Sequence, residues 1–128
     1  MRATKEEILE TIPEDRQMGD CFHIHFDNLP HDDNYRLVHG VVTGQGPIKG
    51  LEISHCWLEV KVSLPIGEMI MVKDISNGNE ISIPKELYYL IGKIDPDQCV
   101  HYDYYSAKLN AFEHQHYGPW HQQPEHVL

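Results

Sequence analysis

Residues 53–62 read ISHCWLEVKV. Cys56, Leu58, Val60 and Val62 fall on one side of a two-residue period, and His55, Trp57, Glu59 and Lys61 on the other. That alternation predicts a β-strand with an apolar face turned to a core and a polar face turned away. It also separates two adjacent residues that enzymes use. In a strand His55 and Cys56 must point to opposite faces, so Cys56 is expected to pack among aliphatic neighbours. His55 stands on the polar face, where a histidine is either surface or site. Trp57, on the same face, is either a candidate wall for a binding cleft or a residue covered by the C-terminal segment.

The neighbouring segments extend this strand into a sheet. LPIGE, residues 64–68, is a turn, and MIMVKDI, 69–75, is a second strand that a hairpin would place antiparallel to the first. SNGN, 76–79, carries an Asn-Gly hairpin signal, and EISI follows as a short strand. Upstream, the β-branched stretch YRLVHGVVTG, 35–44, predicts another strand, preceded by the turn PHDDN. CFHIHFDNL, 21–29, is read as a helix, with Phe22 and Phe26 on one face and Asp20 as its N-cap.

Towards the N-terminus, Thr4 and Glu7 form a capping box before Ile8, Leu9 and Ile12, which predicts a short helix ending near Pro13. Towards the C-terminus, Pro84 opens the helix PKELYYLIG, closed by Gly92. VHYDYY, 100–105, is the expected last strand. SAKLNAFEHQH, 106–116, is the expected last helix, stopped by Gly118-Pro119, and the tail from Trp120 is expected to be weakly structured. No repeat or internal boundary interrupts the pattern. The expectation is a single α+β domain over 1–128, with a core at 19–105 and a C-terminal helix and tail at 106–128.

Composition narrows the function. The chain has 128 residues, 20 of them acidic and 10 basic, for a formal charge of −10. Such a surface repels phosphate backbones and anionic lipid, so neither a nucleic acid nor a membrane is an expected partner, whereas a basic protein is compatible. The charged N-terminus MRATKEEILETIPEDR has no apolar core of a secretory signal, and no run of about 20 apolar residues is present. The expected location is the cytoplasm. Three widely spaced cysteines, Cys21, Cys56 and Cys99, form neither a disulfide framework nor a Cys-x-x-Cys zinc motif.

A histidine base needs a nucleophile, and Cys21 is the candidate. It follows an N-cap, so its thiol would lie in the first turn of a helix, where unpaired N–H groups and the dipole favour a thiolate and can bind an oxyanion. Asp74, at the end of MIMVKD, would lie on the strand next to His55, where it could orient the imidazole. Cys21, His55 and Asp74 then form a nucleophile–base–orienter set.

The contexts of these residues, GDCF, YRLVHGVVTG, SHCWLEV and MVKDISNG, resemble the core of the transglutaminase-like superfamily among the papain-like cysteine enzymes. That family shows Gly-x-Cys at a helix start, a strand of the type R-x-V-x-G, the motif H-A-W-x-E-V, and a strand ending in D-P-T. Cys21, His55 with Trp57, Glu59 and Val60, and Asp74 occupy the matching places over roughly residues 19–84. Cys56 replaces the alanine, and Ile75-Ser76 replaces Pro-Thr.

The resemblance implies a papain-like fold, an antiparallel sheet with a Cys-bearing helix packed against it. It also implies attack of Cys21 on an amide carbonyl, a thioester, and its resolution by water or an amine. The backbone N–H of Cys21 would be one oxyanion donor, and the side chain of Gln17 a second by analogy. The expected substrate is a peptide or protein, or a Gln or Asn side chain within one. No cofactor is called for.

Two other readings stay open. One is a protein-binding module of this fold without turnover. The other is a metal-binding protein using the histidines. His23 and His25 could chelate together on a strand but not on a helix. His114, His116, His121 and His126 make the C-terminus histidine-rich without an accompanying carboxylate or cysteine. His39, in an otherwise apolar strand, is read as a satisfied core or edge histidine with a possible supporting role. Arg36 is expected to pair with surface acids.

Overall fold

A computed structural model describes residues 20–44, 49–76 and 80–121. The expected N-terminal helix at residues 4–12 and Gln17 lie outside the described residues. The elements run α1 (Asp20–Asp27), β1 (Tyr35–Thr43), β2 (Glu52–Leu64), β3 (Gly67–Asp74), β4 (Ile81–Pro84), α2 (Lys85–Gly92), β5 (Val100–Tyr102) and α3 (Tyr104–His114). The strands form one five-stranded sheet in the order β4-β3-β2-β1-β5, every neighbouring pair antiparallel. This is an α+β fold, as the meander in the sequence predicts.

β2 is the long central strand. Its hairpin to β3 pairs Leu64 with Gly67 and runs back to Leu58 opposite Lys73. Against β1 it pairs from Glu52 to Val60, with Cys56 opposite His39. The period-two reading of residues 53–62 holds: Cys56 and Leu58 are buried in the core beneath α1 and α3, with Cys21, Phe22, Phe26, Leu37, Tyr102 and Ala107.

The opposite face departs from expectation. It is not an exposed polar face, because α2 covers it. Trp57 packs there with Val38, Val72, Tyr89 and Ile94. Trp57 has 0% of its surface exposed, and Glu59 only 4%. Alternation reports on one buried face; it does not reveal a helix that later buries the second. Gly40 makes room for this packing. A Cβ there would lie 2.6 Å from the Trp57 ring and 2.9 Å from the Cys99 sulfur.

Some boundaries differ from the sequence reading. Pro84 is the cap of α2 rather than its first residue, whereas the helix ends at Gly92 as read, with Lys93 as its left-handed cap. The last strand stops at Tyr102 because the Asp103 carboxylate accepts the Ser106 N–H and caps α3, which therefore begins at Tyr104. Nor is the start of the tail loose. Trp120 packs on Phe26, His39 and Tyr102, its indole N–H donating to the His116 carbonyl at 2.7 Å. Gly118, at φ +122°, permits that approach, since a Cβ would fall 2.5 Å from the His39 ring. No helix among the described residues is long and apolar enough to cross a membrane.

Candidate active site

Among the described residues the pairing of β3 with β2 ends at Leu58, short of His55. Beyond that end a thiol from α1 and the imidazole of His55 approach each other. Asp74, the last residue of β3, reaches the same place. His55 Nε2 donates to Asp74 Oδ2 at 2.9 Å. With that nitrogen committed, Nδ1 is the one left for Cys21, which lies in the first turn of α1 and hydrogen-bonds the same ring. The structure thus brings Cys21, His55 and Asp74 together, across sequence separations that only the tertiary fold can close.

The electrostatics follow from the contacts. Burial by itself disfavours charge on His55, but the Cys21 thiolate and the hydrogen bonds to Asp74 and Cys21 more than reverse this. The imidazole is held well above its usual range. Burial also penalises the Asp74 carboxylate, yet the hydrogen bond and charge of His55, together with Tyr88, keep its pKa far below the ordinary carboxylate value. All its lone-pair directions are used. Tyr88 donates to Oδ2 at 2.6 Å, and the Ser76 N–H and hydroxyl donate to Oδ1 at 3.0 and 2.7 Å.

The other two cysteines have thiols raised by their surroundings. Burial pushes the Cys56 thiol well up, with the nearby charges of Cys21 and Asp74 adding to it. Cys99 is also raised, chiefly by burial. Both are the protonated, poorly reactive forms that apolar packing favours.

Trp57, expected as a cleft wall, has no exposed surface to offer a substrate. Its N–H donates to Glu59 Oε2 at 3.0 Å, and α2, not the C-terminal segment, covers it. Arg36 gives its guanidinium to the carbonyls of Asp33 and Tyr35, both at 2.7 Å, and its charge also acts on the surface carboxylate of Asp103. His39 is fully buried with both ring nitrogens unpaired among the described residues, so it is not the satisfied core histidine expected. His23 and His25 lie on a helix and diverge. His23 pairs with Asp27 at the surface and stacks on Tyr117, whereas His25 turns inward. Among the described residues no three His, Cys, Asp or Glu side chains converge as a metal site would require.

Sequence reasoning missed Tyr88, Ser76 and His25. His25 had a signal: it is four residues after Cys21 and so shares its helical face. Tyr88 had none, because nothing in a Tyr-Tyr pair says which hydroxyl meets a carboxylate. Comparison with family models, with curated proteins and with solved structures finds no match.

Proposed function

We propose that this protein is a cysteine-nucleophile hydrolase or acyltransferase acting on an amide, either a peptide bond or a Gln or Asn side chain. The observation that carries the reading is the bridging position of His55, bonded to Asp74 through Nε2 and to the Cys21 thiol on its other side. In this reading His55 takes the thiol proton, the Cys21 thiolate adds to the carbonyl carbon, and His55 returns the proton to the leaving amine. A thioester remains, which water or a second amine resolves with His55 again as base. Asp74 holds the ring in the tautomer that presents Nδ1 to sulfur. The same arrangement supports a papain-like fold of the transglutaminase-like type.

The first experiment is the rate of iodoacetamide alkylation of each cysteine against pH, read by peptide mass spectrometry. Cys21 is expected to label at pH 6 well ahead of Cys56 and Cys99. His55→Ala is expected to slow Cys21 on the order of a hundredfold, the usual worth of a positioned base. Labelling of Cys21 no faster than Cys99 would sink the triad.

A second reading, a binding module of the same fold without turnover, is favoured by the 3% exposure of Cys21. Cys21→Ala separates the two: a module keeps its affinity for a peptide partner, and an enzyme loses its thioester.

A further inference from the structure

His25 is a buried titratable group that the chemistry above does not use. It is 0% exposed, yet both ring nitrogens are occupied. Nδ1 donates to the backbone carbonyl of Cys21 at 2.6 Å. Nε2 accepts the backbone N–H of Ile75, the residue after Asp74, at 3.0 Å. Asp74 Oδ1 itself lies 3.7 Å from Nε2. The His25 side chain therefore touches the main chain of the nucleophile and that of the carboxylate's neighbour, which is 50 residues from His25 along the chain.

We propose that His25 is a positioning residue of the Cys21–His55–Asp74 site, tying the helix that carries the thiol to the strand end that carries the carboxylate. This rests on the reading of those three residues given above. The physical reason is directionality. α1 has eight residues and is held to the sheet by Phe22 and Phe26. Apolar contact fixes how closely a helix packs but only weakly resists sliding along the sheet. Two hydrogen bonds at opposite ends of a rigid ring do resist it. The thiol–imidazole distance needs that control, since a displacement of about 1 Å in a reacting group can cost on the order of a hundredfold in rate.

The ring must be neutral to do this, with its proton on Nδ1, because a proton on Nε2 would face the Ile75 N–H. Burial supplies that condition. It lowers His25 to about 4, against the opposing pull of the Asp74 carboxylate and the Cys21 carbonyl. Residue 75 matters too. Where the resembled pattern has proline, this chain has isoleucine, which keeps the N–H that His25 accepts. His39 provides the contrast. It is as deeply buried, but no described group bonds either nitrogen, and it joins no two elements by hydrogen bonds.

The test is the Cys21 alkylation rate in His25→Leu and His25→Gln, with Cys99 as internal reference, Cys56 as reporter of unfolding, and the urea midpoint measured alongside. His25→Leu is expected to slow Cys21 by about tenfold or more while Cys56 stays protected. His25→Gln, which keeps an acceptor for the Ile75 N–H, is expected to retain more of the rate. If His25→Leu does not fold, His25→Gln decides. A several-fold loss at an unchanged midpoint supports the positioning role, and a wild-type rate overturns it. A folded His25→Leu with a wild-type Cys21 rate also overturns it, as does a change that Cys56 exposure tracks in parallel. Insensitivity of Cys21 to His55→Ala in the otherwise native protein overturns the triad, and His25 loses its role with it.

Discussion

Two buried carboxylates, Asp74 and Glu59, are each held by one of two consecutive tyrosines of α2. Tyr88 donates to Asp74 at 2.6 Å, and Tyr89 donates to Glu59 at 2.5 Å. Each also meets a histidine, His55 at 2.9 Å in one case and His101 at 3.1 Å in the other. Burial disfavours both carboxylates and their donors outweigh it. Glu59 is held at about 2 by His101, Tyr89 and Trp57, and Asp74 is lower still.

What differs is the far side of the histidine. His55 meets a thiol and is mostly enclosed. The His101 side chain is 37% exposed and shares Glu59 with Lys85 at 3.4 Å. A carboxylate, a tyrosine and a histidine thus make a brace at Glu59. They become a candidate relay at Asp74 because a nucleophile completes the chain. Buried ion clusters alone are poor markers of chemistry.

The comparison breaks apart under substitution. Glu59→Ala leaves the Trp57 N–H and Tyr89 hydroxyl buried without an acceptor, so it is expected to lower stability by about 3 kcal/mol in urea unfolding. The native remainder should still label at Cys21 at the wild-type rate. A small change in the urea midpoint would show that Glu59 braces nothing.

Asp74→Asn is expected to do the reverse. The asparagine carbonyl can still accept from Ser76, but its amide would point a donor at His55 Nε2 and turn the ring to the wrong tautomer. Cys21 alkylation at pH 6 should fall by tenfold to about a hundredfold, with a smaller midpoint shift than Glu59→Ala produces. Unchanged alkylation would leave Asp74 as a second brace.

Acid should loosen the Asp74 side first. The native pKa of His25 lies near 4 and its unfolded value near 6.5, so the unfolded chain takes up the proton first. The stability tied to neutral His25 is full above pH 6.5 and is lost as pH falls towards 4, at about 1.4 kcal/mol per pH unit. His39, lowered mainly by burial to about 3, adds a second proton over the same range. Glu59 is depressed from 4.5, so its contribution persists down to about pH 4.5 and is lost only as pH falls towards 2. Between pH 6.5 and 4.5, where the raised His55 no longer changes the balance, urea midpoints should therefore fall, and His25→Gln should flatten the slope while Glu59→Gln should not. Equal slopes in all three proteins would remove the distinction.

The smallest effects come from the tyrosines. Tyr88→Phe and Tyr89→Phe each delete one hydroxyl from a buried carboxylate and should each cost about 1 kcal/mol in stability. Only Tyr88→Phe should also change the pH dependence of Cys21 labelling. The same alkylation profile for both variants would show that α2 does not distinguish the two clusters.

The sheet was readable from local pattern. The period of residues 53–62 placed Cys56 in the core and His55 on the opposite face, and the turn at 64–68 set β3 antiparallel to β2. That is enough to bring Asp74 near His55, because strand period and hairpin pairing are short-range properties of the chain. The helix over Cys21 was equally local, written in Asp20 and the spacing of Phe22 and Phe26.

The tertiary structure decided what covers each face. α2 turned Trp57 and Glu59, which the alternation leaves polar and open, into buried residues, and it chose Tyr88 rather than Tyr89 for Asp74. It also placed His25 between the backbones of Cys21 and of Ile75, the latter 50 residues along the chain from His25. No local pattern carries such choices. Burial and hydrogen-bond partnership depend on which distant surface arrives, and that is settled by packing the whole core rather than by any one segment.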